Sequence, residues 1–193
     1  MLVMNVSSRL FVTRHLIGSR NINLELKPIR SSWGGSLDDT EYTAFEIPSI
    51  KRSKTVVGID PGSRNMGVAI LLNKKVVVYE IKYPEKLQTV AILDTTRKVL
   101  LHLLSEYTID YACVEGAAHG KGFGQAKLSE SKSAAVMALL DMSVQVIVAA
   151  PLSVYKEVFG SGKIKAKEYK PWNHIPKNSA SALACAFYAE RKL

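Results

Sequence analysis

A chain of 193 residues that is 47% hydrophobic has the size and composition of one folded domain with a real core and some additional chain, not of a disordered segment. Its 26 Lys and Arg outnumber 17 Asp and Glu, a net charge of +9 that favours an anionic partner, nucleic acid being the commonest. No apolar run is long enough to cross a bilayer, so no membrane partner is expected. The two cysteines, Cys113 and Cys185, stand apart without a CxxC pair and read as buried thiols of a reducing compartment.

No acidic residue precedes Glu25, while Arg9, Arg14 and Arg20 stand among Ser7, Ser8, Thr13 and Ser19. Three readings fit this stretch: a mitochondrial or other organellar transit peptide, a basic arm laid on a polyanion, or a plain surface extension. Without import, the cytoplasm or nucleoid is the alternative location. "RSSWGGSLDD", residues 30–39, reads as a flexible break. "YTAFEIPSI" could form a short extra strand, confined to an edge by Pro48. The domain is expected from residue 54 to 193, with residues 1–53 as a basic N-terminal extension.

"KTVVGID", residues 54–60, is a β-branched apolar run of the kind buried strands use. "MGVAILL" and "KVVVYEIKY" follow after short polar links, predicting an antiparallel meander with a turn at 73–75. Apolar positions Val90, Leu93, Val99, Leu100, Leu103 and Leu104 predict a helix over 87–107. "DYACVEG" is a fourth strand. Residues 124–142 form a second helix, "SVQVIVAAP" a fifth strand stopped at Pro151, and "NSASALACAFYAERKL" a closing helix. The order β-β-β-α-β-α-β-α predicts an α/β fold: a mixed five-stranded sheet flanked by helices, in the order of the ribonuclease H-like fold.

Two of these strands end in carboxylates, Asp60 and Glu115. Sites in open α/β sheets form beyond the carboxyl ends of strands, so the two acids converge if their strands are neighbours. Two such acids repel and call for a cation, and magnesium prefers hard oxygen donors of this type. A pair of ions would activate water against a phosphodiester. By itself Asp60 could merely cap its "DPG" turn; Glu115 on a second strand end favours a site. Gly62 and Gly67 leave room for a close approach by backbone or phosphate.

Beyond Glu115, "GAAHGKGFGQAK" carries His119, Lys121, Phe123, Gln125 and Lys127 in a glycine-rich stretch that leads into a helix, suited to phosphates. Phe123 either stacks on a base or packs under its own loop. "GSGKIKAKEYK" adds Lys163, Lys165, Lys167 and Lys170 against Glu168 alone. With Gly62, Ser63 and Arg64 after the first strand, these residues make up the candidate nucleic-acid surface, with the strong salt dependence that phosphate contacts bring.

"GIDPGSRNMGVAI" resembles the first motif of RuvC-type Holliday junction resolvases, and "DYACVEGAAHGKGFGQAKLSESKSAAVMALL" resembles the second motif and the helix after it. "VIVAAPLSVYKEVFGSGKIKAKE" and "NSASALACAF" are similar to later segments, in order. The resemblance implies a ribonuclease H-like fold and a homodimer built on the helix at 124–142. It also implies metal-assisted cutting of branched DNA with two magnesium ions. Asp60 and Glu115 match the family's first two acids. The last two, in a D-x-x-D-A pattern on the closing helix, fall on Asn178 and Ser181, which as ligands would offer neutral oxygens only. Whether those two are natural or engineered stays open. Two functions follow: a junction endonuclease, intact or impaired, for recombination and repair, or a non-cutting relative that binds structured RNA, such as a component of an organellar ribosome.

Overall fold

The computed structural model describes residues 11–17, 37–42, 54–72, 75–83, 89–116 and 125–192. Five strands form the expected mixed sheet: β3 (Thr55–Asp60), β4 (Asn65–Leu72), β5 (Lys75–Lys82), β6 (Tyr111–Glu115) and β7 (Gln145–Ala149). β3, β4 and β5 pair antiparallel, whereas β6 pairs parallel with β3 and β7 parallel with β6. Two earlier strands, β1 (Phe11–Ile17) and β2 (Leu37–Tyr42), extend the sheet beyond β5 to the order β2-β1-β5-β4-β3-β6-β7. β1 runs antiparallel to β5 and β2 parallel to β1. The segment 30–39, read from sequence as a break, therefore ends inside a strand. Its sequence, LDDTEY, has the charged composition that edge strands use against stray pairing. The possible strand at 42–50 lies outside the described residues after Tyr42.

Helices cover both faces. Val57 and Ile59 alternate with Val56 and Gly58 along β3, so each strand feeds two cores. One core packs Val57, Ile59, Val68 and Ile70 against Leu100 and Leu104 of α1 (Thr89–Leu104) and Ala135 and Leu139 of α2 (Gln125–Asp141). The opposite core packs Val56, Leu71, Val78 and Cys113 against Val154 of α3 (Pro151–Phe159) and Leu183 and Phe187 of α4 (Lys177–Lys192). Both cysteines are buried, as expected.

The sequence reading stops the fifth strand at Pro151 and expects no helix there, whereas the structure starts α3 at that residue. Pro151 occupies the first helical turn, where its missing N–H costs nothing, and Gly160 closes the helix at φ 75° in the left-handed region. After α3, two short 3₁₀ turns (166–168 and 170–172) carry Trp172, which is fully buried. Its ring lies 5.2 Å edge-on from Phe159, 5.4 Å from Tyr169 and 5.7 Å from Phe187. This aromatic cluster fixes the lysine-bearing segment before it onto α3 and α4.

α4 packs directly on β3, β4 and β6. The approach is so close that a Cβ at Gly58 would collide with the Ala182 carbonyl oxygen and the Ala186 nitrogen, and one at Gly67 with the Asn178 carbonyl. Gly67 thus leaves room for backbone, as expected, and that backbone belongs to the first turn of α4. Gly58→Ala should destabilise the fold by roughly 3 kcal/mol or more, because the added methyl meets main chain that cannot rotate away. Urea unfolding checks it; a loss under about 1 kcal/mol would show that α4 can shift outward.

Candidate functional site

Strand alternation sets the site. Gly58 and Cys113 face α4, so Asp60 and Glu115, each two residues further, face it too. The parallel register pairs Ile59 with Val114, which brings the two carboxylates to neighbouring strand ends. They open on one cavity of ≈ 350 Å³, lined also by Gly62, Ser129, Lys132, Tyr155, Lys165, Lys167, Lys177, Asn178 and Ser181. Backbone from β3, β6, α3, α4 and the 3₁₀ segment therefore meets around two acids.

Burial dominates the electrostatics. It pushes the Asp60 carboxyl well above its usual range, and the adjacent Glu115 charge pushes further the same way; the Lys177 ammonium and a Ser181 hydrogen bond oppose it. Glu115 rises from 4.5 to about 7 through burial, against a hydrogen bond from Tyr155 and the Lys177 charge. The Tyr155 phenol is raised by burial and by both carboxylates. Tyr155 Oη and Ser181 Oγ lie 3.2 Å apart. Two hydroxyl protons cannot serve three contacts, those to Glu115, to Asp60 and to each other. A proton held by either carboxyl completes a chain from Asp60 through Ser181 and Tyr155 to Glu115. The raised affinity of the pair for a proton and this hydroxyl bridge agree.

Of the residues expected from sequence, Asp60, Glu115, Asn178, Ser181, Gly62, Lys165 and Lys167 line the cavity. A Cβ on Gly62 would strike the Asn65 carbonyl, so its own turn requires this glycine. Ser63, Arg64 and Lys163 do not line the cavity: the β3–β4 turn carries the first two past it, and Lys163 is exposed ahead of the buried Ala166 anchor. His119, Lys121 and Phe123 lie outside the described residues, as do the side chains of Gln125 and Lys127, whose backbone opens α2. Lys132, Tyr155 and Lys177 are the residues the sequence reading misses. Tyr155 sits on the helix that went unread. Lys177 stands one place ahead of Asn178, and a charge at that helix start was the signal available.

A divalent cation would find hard donors here. Glu115 Oε2 is buried without a hydrogen-bond partner, the condition of an acid waiting for a ligand. Asn178 donates its amide N–H to the Asn65 carbonyl at 2.8 Å, which leaves its oxygen as the remaining donor. Two carboxylates, one amide oxygen and one hydroxyl suit a single hard ion. They lack the charge for two, and among the described residues no three His, Cys, Asp or Glu gather.

A family profile described as Crossover junction endodeoxyribonuclease RuvC matches residues 56–170, more than half of the chain, and ends before α4. Among solved structures, T. thermophilus RuvC in complex with Holliday junction substrate is similar at 21% identity and a TM-score of 0.60, over 69% of this chain and 90% of that one. Another Thermus thermophilus RuvC structure gives 21% and 0.55, over 68% and 90%. The yeast mitochondrial Holliday junction resolvase Ydc2 gives 14% and 0.47, over 72% and 78%. No curated protein sequence matches. The two Thermus structures bear out the ribonuclease H-like α/β fold.

The raised acids tie stability to pH. A carboxyl whose folded value exceeds its unfolded one holds its proton more tightly when folded, so stability is lost as pH rises from about 4.5 through about 7. For Glu115 the full span is worth roughly 3 kcal/mol, and Asp60 acts in the same direction. Urea unfolding in chelator at pH 5 and pH 8 should therefore show a smaller loss on going alkaline for Glu115→Gln than for the wild type. Equal losses would mean that Glu115 is ionised at little cost.

Proposed function

The chain belongs to the RuvC family, and on that premise we propose that it binds branched DNA across the Asp60–Glu115 cavity and hydrolyses it only weakly. One observation carries the reading: the family's first two acids open on one lysine-lined cavity, and a buried oxygen of Glu115 has no hydrogen-bond partner. Lys132, Lys165 and Lys167 bind backbone phosphates, with little sequence preference and a steep dependence on salt. Asp60 and Glu115 hold one magnesium ion, assisted by the oxygens of Asn178 and Ser181. Bound there, the ion supplies Lewis acidity to a phosphate oxygen. Tyr155 and Ser181 orient the two carboxylates. The neutral residues at 178 and 181 leave a second ion too little charge, which is why cutting is weak.

Met137 and Leu140 of α2 and Val148 of β7 stand about half exposed, at 53%, 52% and 51%. An apolar face of this kind supports a homodimer through α2, matched to the pseudo-symmetry of a four-way junction. The acid-poor N-terminus supports import into a mitochondrion or similar organelle. β1 falls inside that stretch, so removing the whole of it would also take a strand from the sheet. A second reading, a non-cutting binder of structured RNA, is favoured by the basic and neutral first turn of α4.

Synthetic four-way junctions with magnesium test the proposal. Wild type should bind them more tightly than linear duplex and nick them slowly, and Asp60→Asn should not nick at all. The double variant Asn178→Asp/Ser181→Asp should cut faster by on the order of 10²-fold. No preference for junction over duplex would overturn the DNA reading. Tighter binding to folded RNA, with no cutting by the double variant, would favour the second.

A further inference from the structure

The β3–β4 pairing ends at Asp60 and Gly67, so the Asn65 carbonyl lies past the last rung of that ladder. A partly buried carbonyl off the ladder needs a donor from elsewhere. It finds one 113 residues along the chain, in the Asn178 side-chain amide, at 2.8 Å. The neighbouring Arg64 carbonyl accepts from the Tyr83 N–H, also at 2.8 Å. The turn after Asp60 is therefore tied at consecutive carbonyls, one to the residue that follows β5 and one to α4. Asn178 is seated between the two arms of this turn. On one arm a Cβ at Gly67 would collide with its main-chain carbonyl, and on the other a Cβ at Gly62 would come within 3.6 Å of its amide nitrogen. Neither arm carries a side chain that would push Asn178 out.

We propose that Asn178 is a positioning residue for Asp60: its amide fastens the turn at residues 61–64 to α4, and so fixes the strand end that carries the carboxylate without needing a cation to do it. The bond demands a donor. A carboxylate at 178 has lone pairs alone to turn on the Asn65 carbonyl and would repel it. An apolar side chain would leave that carbonyl unpaired. An amide serves the turn with its N–H and still has an oxygen left beside the cavity that Asn178 lines. Asn178 is thus a gain of local order, not merely the loss of a negative ligand. That Asp60 is worth positioning rests on the functional reading above; the bond that positions it does not.

Nuclear magnetic resonance of the full-length protein in chelator, without nucleic acid, tests the role. In wild type the Asn178 side-chain amide should exchange its hydrogens with solvent about tenfold more slowly than that of the exposed Asn173. Asn178→Asp and Asn178→Ala should each speed backbone exchange at residues 62–66 by about tenfold and leave β6 and the middle of α4 unchanged. Each should also broaden or split the Asp60 carboxyl carbon resonance, which is single in wild type. The two variants share the loss of the donor and nothing else, since one keeps the volume of the side chain and the other adds no charge. Fast exchange of the Asn178 amide in wild type would overturn the proposal. So would turn exchange or an Asp60 resonance unchanged in either variant, or exchange raised equally through the whole sheet. Should neither variant fold, the wild-type amide decides alone. If the chain shows no preference for junctions while these signatures appear, the positioning role stands and the functional reading fails.

Discussion

Two like charges placed side by side in a buried pocket govern the rest of this molecule. Neighbouring parallel strands bring Asp60 and Glu115 to the same edge, and the protein must then manage their repulsion in a poorly polarisable setting. Hydroxyls from Tyr155 and Ser181 bridge the pair, and an ammonium faces it. The partners arrive on two elements, Tyr155 on α3 and both Ser181 and Lys177 on α4, so the site is a meeting point and not a local motif. Its properties follow from how closely α4 can come to the sheet.

That closeness is a matter of missing side chains. Gly58 and Gly67 put bare backbone under the helix, and the first turn of α4 settles against β4 through main-chain atoms. The Asn178 amide then joins the Asn65 carbonyl, and Ser179 Oγ donates to the Tyr79 carbonyl at 3.2 Å. The aromatic cluster around Trp172 holds the Lys165–Lys167 stretch from the other side.

Much of this was legible in the residues. Short uninterrupted apolar runs mark β3 to β6, which are buried on both faces, and their length of five to eight residues separates them from helices. The two strand-end acids pointed to each other as soon as the strands were taken as neighbours. Less was legible where a single residue has opposite meanings. Pro151 ends a strand and also starts a helix, and only the Gly160 nine residues on distinguishes the cases. Tyr155 was hidden by that ambiguity. Leu37–Tyr42 was hidden by its charge, since an edge strand is selected not to look like a strand. Lys177 was passed over because the family comparison directs attention to 178 and 181, while electrostatics acts on whatever shares the pocket.

The glycine seats beneath α4 have one more effect. Because the helix is located chiefly by main chain against main chain, the side chains at 177, 178 and 181 add to its position only through contacts such as the Asn178 bond to the Asn65 carbonyl. Architecture and chemistry are thereby uncoupled at the one place where the family stores its reactivity. A lineage can rewrite those three letters, from acid to amide to amine, while the scaffold stays in place.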